Sequence, residues 1–67
     1  MENVKIYILQ SGINHYFQEI SNEDKVVTTN SSLMAMIIPN IYTANSFRNL
    51  LKKHYKKEFI IVPISNN

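Results

Sequence analysis

"TANSFRNLLKKHYKK", residues 43–57, is the stretch on which the fold turns. Phe47, Leu50, Leu51, His54 and Tyr55 recur at the i, i+3, i+4, i+7, i+8 spacing of an amphipathic helix. Thr43 is suited to cap it and Ala44 to start it, so the spacing predicts a helix over 44–57. At about 100° per residue, Phe47, Leu50, Leu51 and His54 fall on one arc with Tyr55 at its flank. Arg48, Lys52, Lys53, Lys56 and Lys57 fall on the opposite arc, among Asn45 and Asn49. What reads linearly as aromatics set among cations thus resolves into an apolar face and a basic back.

Strands are expected on both sides of this helix. "VKIYILQ" (4–10) is β-branched and aromatic with period-2 character, the only glycine follows it in "SGIN", and "HYFQEI" (15–20) returns as its partner. "SNED" is a polar turn and "KVVTT" (25–29) a short third strand. "NSSLMAMIIPN" fits either a helical turn capped by Ser31 or Ser32 or a fourth strand ended by Pro39; a turn or short helix over 32–38, lidding the core, is the preferred reading. "EFIIVPI" (58–64) is an apolar strand with Pro63 near its end, and "SNN" a frayed tail. The order β-β-β-α-β, with no linker or repeat, implies one domain over 1–67. Its class is α+β: a small antiparallel sheet of three to four strands with one amphipathic helix on one face.

One helix covers one sheet face, so the composition of the other face matters. With an even loop, of two residues or the four of 11–14, Val4, Ile6, Ile8, His15, Phe17 and Glu19 share one face. Lys5, Tyr7, Leu9, Tyr16, Gln18 and Ile20 then share the other; an odd loop would swap the second strand. If the helix covers the Ile6, Ile8 and Phe17 side, Tyr7, Leu9, Tyr16 and Ile20 form an exposed apolar cluster of the kind that marks a contact surface. The alternative is that "LMAMIIP" folds over them.

Chemistry is sparse. The two histidines, His15 and His54, are expected in the layer between helix and sheet as hydrogen-bonded core residues, with Glu19 near His15 but no metal-site spacing. With no cysteine there is neither a disulfide nor a thiolate metal site. Ser11-Gly12 reads as a turn and not as a nucleophile, and one glycine does not build a phosphate-cradling loop. Met34 and Met36 read as core fillers. No catalytic residue, metal or cofactor is therefore expected, and no enzymatic activity.

At 67 residues the core is small, so a second copy or another protein is the expected support. "MENVKIYIL" lacks the marks of a signal peptide, "NSS" at Asn30 reads as a chance glycosylation match, and no apolar run approaches the roughly 18 residues of a membrane span. A cytoplasmic protein without membrane contact is expected. Abundant Asn, Ile and Lys with a single Arg suggest an AT-rich coding sequence, as in low-GC bacteria and their phages and mobile elements. The leading expectation is a small protein-binding, inhibitor-like module, possibly homodimeric, with Tyr7, Leu9, Tyr16 and Ile20 as its contact face. The alternative is phosphate binding on nucleic acid through Arg48, Lys52, Lys53, Lys56 and Lys57. A net charge of +2 is too mild to decide this, and lysine-rich contact without interleaved aromatics offers little base reading.

Overall fold

The apolar, β-branched ends of the chain meet first. β1 (Val4–Gln10) and β4 (Ile60–Asn66) pair antiparallel along their full length, from Val4 opposite Asn66 to Gln10 opposite Ile60. In this computed structural model, which describes residues 4–66, β2 (Tyr16–Ile20) and β3 (Val26–Thr29) complete a four-stranded antiparallel sheet in the order β3-β2-β1-β4. One helix, α1 (Ile41–Tyr55), falls between β3 and β4 in sequence and packs on one sheet face. This is the expected α+β architecture.

Both hairpin loops hold five residues, 11–15 and 21–25. In each, a serine N–H donates to the carbonyl of the fifth residue: Ser11 to His15 at 2.7 Å, Ser21 to Lys25 at 2.8 Å. The fourth residue takes left-handed backbone, Asn14 at φ 61° and Asp24 at φ 62°, a conformation that Asn and Asp tolerate better than other side chains. Five is odd, and this corrects the even-loop register. Gln10 faces Tyr16, so Phe17 joins Tyr7 and Leu9 and not Ile6 and Ile8. A bulge then intervenes, with Phe17 opposite Thr28 but Glu19 opposite Val27. The extra residue, Gln18, restores the phase so that Ile20 also reaches the core beside Val26.

β1 and β2 pair at Gln10 and Tyr16, next to their loop, and then diverge. Residues 35–38 fill the fork. The Met36 N–H donates to the Phe17 carbonyl at 2.9 Å, and Tyr7 and Ile38 exchange two N–H to carbonyl bonds, each 2.8 Å, as an antiparallel bridge. The helical segment expected over 32–38 is thus a single 3-10 turn, Ser32–Met34, followed by extended chain. The reason is that a forked hairpin strands the backbone groups of Tyr7 and the Phe17 carbonyl, and an extended segment satisfies all three where a helix satisfies none. Met36 and Ile38 face the helix; Ile37, between them, faces away and is 53% exposed.

The helix begins three residues earlier than expected. Asn40, not Thr43, is the cap: its Oδ1 accepts the Thr43 N–H at 2.8 Å. It ends at Tyr55, where Lys56 turns left-handed at φ 59° and the Lys57 N–H returns to the Leu51 carbonyl at 3.1 Å. β4 starts at Ile60 and includes Ser65 and Asn66 of the expected tail, because β1 is there to pair with them; Asn67, like Met1, lies outside the described residues. Pro63 sits at the middle of β4, opposite Tyr7. Since the Tyr7 backbone groups are engaged by Ile38 on the other side, the Pro63 nitrogen points to the open edge and removes no ladder bond.

Leu9, Phe17, Ile38, Ala44, Leu51 and Phe59 form the buried core, flanked by Tyr7, Ile20, Val26, Met36, Phe47, Tyr55 and Ile61. Phe17 is its hub, with ring centroids 5.9 Å from both Phe47 and Phe59, the latter edge-on. Neighbouring residues of the 35–38 segment should therefore respond differently to truncation. Ile38→Ala is expected to cost about 2–5 kcal/mol in urea unfolding, most of the stability of a domain this small, and Ile37→Ala about 1 kcal/mol or less. Equal losses at the two positions would contradict the alternation.

Candidate interaction surfaces

The register decides which sheet face stays open. Tyr7, Leu9, Phe17, Ile38 and Ile61 lie under α1. The face they turn away from carries Ile6 opposite Ile64, Ile8 opposite Val62 and Gln10 opposite Ile60. Ile37 lies beside Ile8, one residue from the Tyr7–Ile38 bridge. Ile8 is buried among these neighbours; Ile6, Val62 and Ile64 are half-buried; Ile60 is 63% exposed. No helix lies across this face among the described residues, and the side chains of Ile6, Ile8, Ile37, Ile60, Val62 and Ile64 bring no charge to it.

Tyr7, Leu9, Tyr16 and Ile20 do not form one surface. Leu9 is 0% exposed, Tyr7 and Ile20 pack against the core from the helix side, and Tyr16 alone lies on the open face, half-buried. The physical reason is twofold: the loop is odd, and the helix covers the odd-numbered side of β1. The apolar residues that are outward, Ile6, Ile37, Ile60, Val62 and Ile64, were missed by the sequence reading. The two loops share a pattern, "SGINH" and "SNEDK", each with serine first and Asn or Asp fourth at the left-handed position, and both are five-residue connections.

Arg48, Lys52, Lys53, Lys56 and Lys57 are all exposed, but only Arg48, Lys52 and Lys53 belong to α1; Lys56 is its left-handed C-cap and Lys57 lies in the connection to β4, so the five do not share one helix face. Among the described residues only Lys52 of this set has a carboxylate within reach, Glu58 at 3.9 Å, and both side chains are so exposed that the pair contributes little. The chain has no acidic residue between Asp24 and Glu58, so the helix face has no internal neutralisation. Cations in the last turn also complement the negative end of the helix dipole. Arg48, Asn49 and Lys52 line a cleft of about 250 Å³ with Glu58 and Phe59.

Both histidines are exposed and not in the layer between helix and sheet. His15 belongs to the loop, not to β2, and the buried row of α1 runs through Ala44, Leu51 and half-buried Tyr55, leaving His54 one step round the helix. Among the described residues no group of three or more His, Asp or Glu side chains is placed to hold a metal ion, and no helix is long and apolar enough to cross a membrane. No family model matches the chain, and comparison with curated proteins and with solved structures finds no match.

One polar contact ties the helix end to the sheet. The Tyr55 hydroxyl donates to Oδ1 of Asp24 in the β2–β3 loop. That bond, then partial desolvation, then the charge of Asp24, raise the Tyr55 pKa above its ordinary value near 10. Because the folded value exceeds the unfolded one, the contact stabilises fully below about pH 10 and is lost as pH rises through the folded pKa. Tyr55→Phe should therefore be less stable than the parent at neutral pH and show a shallower alkaline decline in thermal unfolding. Parallel alkaline curves would remove the linkage.

Proposed function

We propose that this chain is a small non-enzymatic protein-binding module that acts by occluding a partner protein through the open face of its sheet. The observation that carries the reading is the apolar patch of Ile6, Ile37, Ile60, Val62 and Ile64, uncharged in its own side chains and with no helix across it among the described residues. β-Branched side chains on a sheet lose little side-chain freedom on burial, and contiguous apolar surface of this kind is used for contact. Action in the cytoplasm and an accessory role in a phage or mobile element fit the residue usage. Affinity capture from the source cell, with and without nuclease, tests the reading. A protein retained in both arms by the parent and lost with Ile60→Lys is expected; capture indifferent to Ile60→Lys would defeat it. Leu9→Ser reports folding and not binding, since Leu9 is core.

The exposed cations of α1 and of the turn that follows it favour a second reading, contact with nucleic-acid phosphates through Arg48, Lys52, Lys53, Lys56 and Lys57. Five exposed cations, with one weak ion pair among the described residues, support it. It predicts duplex DNA binding whose log affinity falls against log salt by about 0.9 per phosphate engaged, so by no more than roughly 4.5 in slope for five contacts. Lys52→Glu with Lys56→Glu should abolish the shift at low salt. Unchanged mobility of DNA with the parent protein at low salt would end this reading.

A further inference from the structure

We infer that the cleft between α1 and the chain leading into β4 is a binding site for a small organic phosphate monoester, held by Arg48 and Lys52. The site needs neither the open sheet face nor a nucleic-acid partner. Its two walls are fixed by the fold. On one side stand Arg48, Asn49 and Lys52 of α1, and on the other Glu58 and Phe59. The Lys57 N–H, bonded to the Leu51 carbonyl at 3.1 Å, turns the chain back along the helix. Phe59, 6% exposed and edge-on to the Phe17 ring, anchors it in the core. The backbone on both sides is therefore in place before a ligand arrives, and ordering it adds little to the cost of binding.

Charge selects the ligand class. Arg48 and Lys52 are four residues apart, so they stand one above the other on the helix and repel each other until an anion bridges them. Arg48 has no carboxylate within ion-pair reach among the described residues. Lys52 meets Glu58 at 3.9 Å with both side chains largely exposed, a pair weak enough to exchange for a better anion. Phe59 gives the cleft an apolar wall, which keeps the field of the two cations from spreading into solvent, and the Asn49 amide supplies a further donor. A phosphate monoester carries about −1.5 to −2 charge at neutral pH and three acceptor oxygens, enough for the Arg48 fork and the Lys52 ammonium together. A monocarboxylate or a phosphodiester, with a single charge, balances only one of them. The cleft volume, about 250 Å³, lies just under the roughly 300–1,000 Å³ of pockets for drug-sized molecules. It holds a phosphate with a small organic group and not a long chain.

Titration of the full chain with phenyl phosphate, followed by NMR of the backbone amides and of the Arg48 guanidinium, tests this. Saturable shifts centred on Arg48, Asn49, Lys52 and Phe59, with Kd about 1 mM or tighter, are expected. Benzoate, which has the ring but a single charge, and inorganic phosphate, which has no organic group, should each bind at least about threefold more weakly. Arg48→Gln and Lys52→Gln should each weaken phenyl phosphate at least about fivefold, while Lys53→Gln, the same loss of charge outside the cleft, changes it less than about twofold. Glu58→Gln should tighten binding by freeing Lys52, and Glu23→Gln, in the β2–β3 loop, should not. All these side chains are exposed, so each variant should keep the circular dichroism spectrum of the parent. No saturable shift up to about 10 mM, shifts spread alike over Lys53, Lys56 and Lys57, or equal weakening by Arg48→Gln and Lys53→Gln would overturn the site. Benzoate or inorganic phosphate binding as tightly as phenyl phosphate would overturn the monoester as its ligand.

Discussion

The pair of hydrogen bonds exchanged by Tyr7 and Ile38 is the constraint on which the rest of the molecule depends. A hairpin that forks after one pair leaves peptide groups facing a gap, and buried peptide groups without partners cost about 1–3 kcal/mol each. Residues 35–38 close the gap in the only way that also closes the core, because the backbone that satisfies Tyr7 and Phe17 delivers Ile38 and Met36 between them. Hydrogen bonding and apolar burial are satisfied by the same four residues. Ile37 is turned outward as a geometric consequence, which joins the connecting segment to the open face.

That arrangement explains how so short a chain supports a core. The helix alone contributes only Ala44 and Leu51 as fully buried residues. The remainder comes from one residue each of β1 and β2, the inserted segment, and Phe59 in the approach to β4. Phe17 contacts aromatic rings from two of these sources and so couples helix, sheet and C-terminal strand. The cost is a sheet whose second face finds no cover within the described chain. The second face keeps apolar surface available, while Arg48, Lys52 and Lys53 are carried by the helix that covers the first.

Much of this was legible in the residues. The helix was readable from Phe47, Leu50, Leu51 and Tyr55 because amphipathic spacing is a local property, and the strands from their β-branched runs. Its start was misplaced because Asn40 and Thr43 are both competent caps and only the backbone turn after Pro39 separates them. The basic arc was readable for the same local reason at Arg48, Lys52 and Lys53, whereas Lys56 and Lys57 lie past the left-handed turn that ends the helix. The open face was not, since it depends on the parity of a loop and on a bulge at Gln18, and one residue either way exchanges the faces. Tyr7, Leu9 and Ile20 were expected outside on that account and are inside. The path of residues 35–38 was beyond local reading altogether: what fixes it is a vacancy created by strands more than ten residues away.

Which side of β1 faces water decides which residues the protein presents. Methyl NMR with a soluble paramagnetic cosolute reads this directly. The Ile37 and Ile60 methyls should be strongly broadened while those of Leu9, Ile38 and Leu51 remain sharp. Broadening of Leu9 and Ile38 equal to that of Ile60 would mean that the register is slipped, the inserted segment is elsewhere, and the open face described is not the one the protein presents.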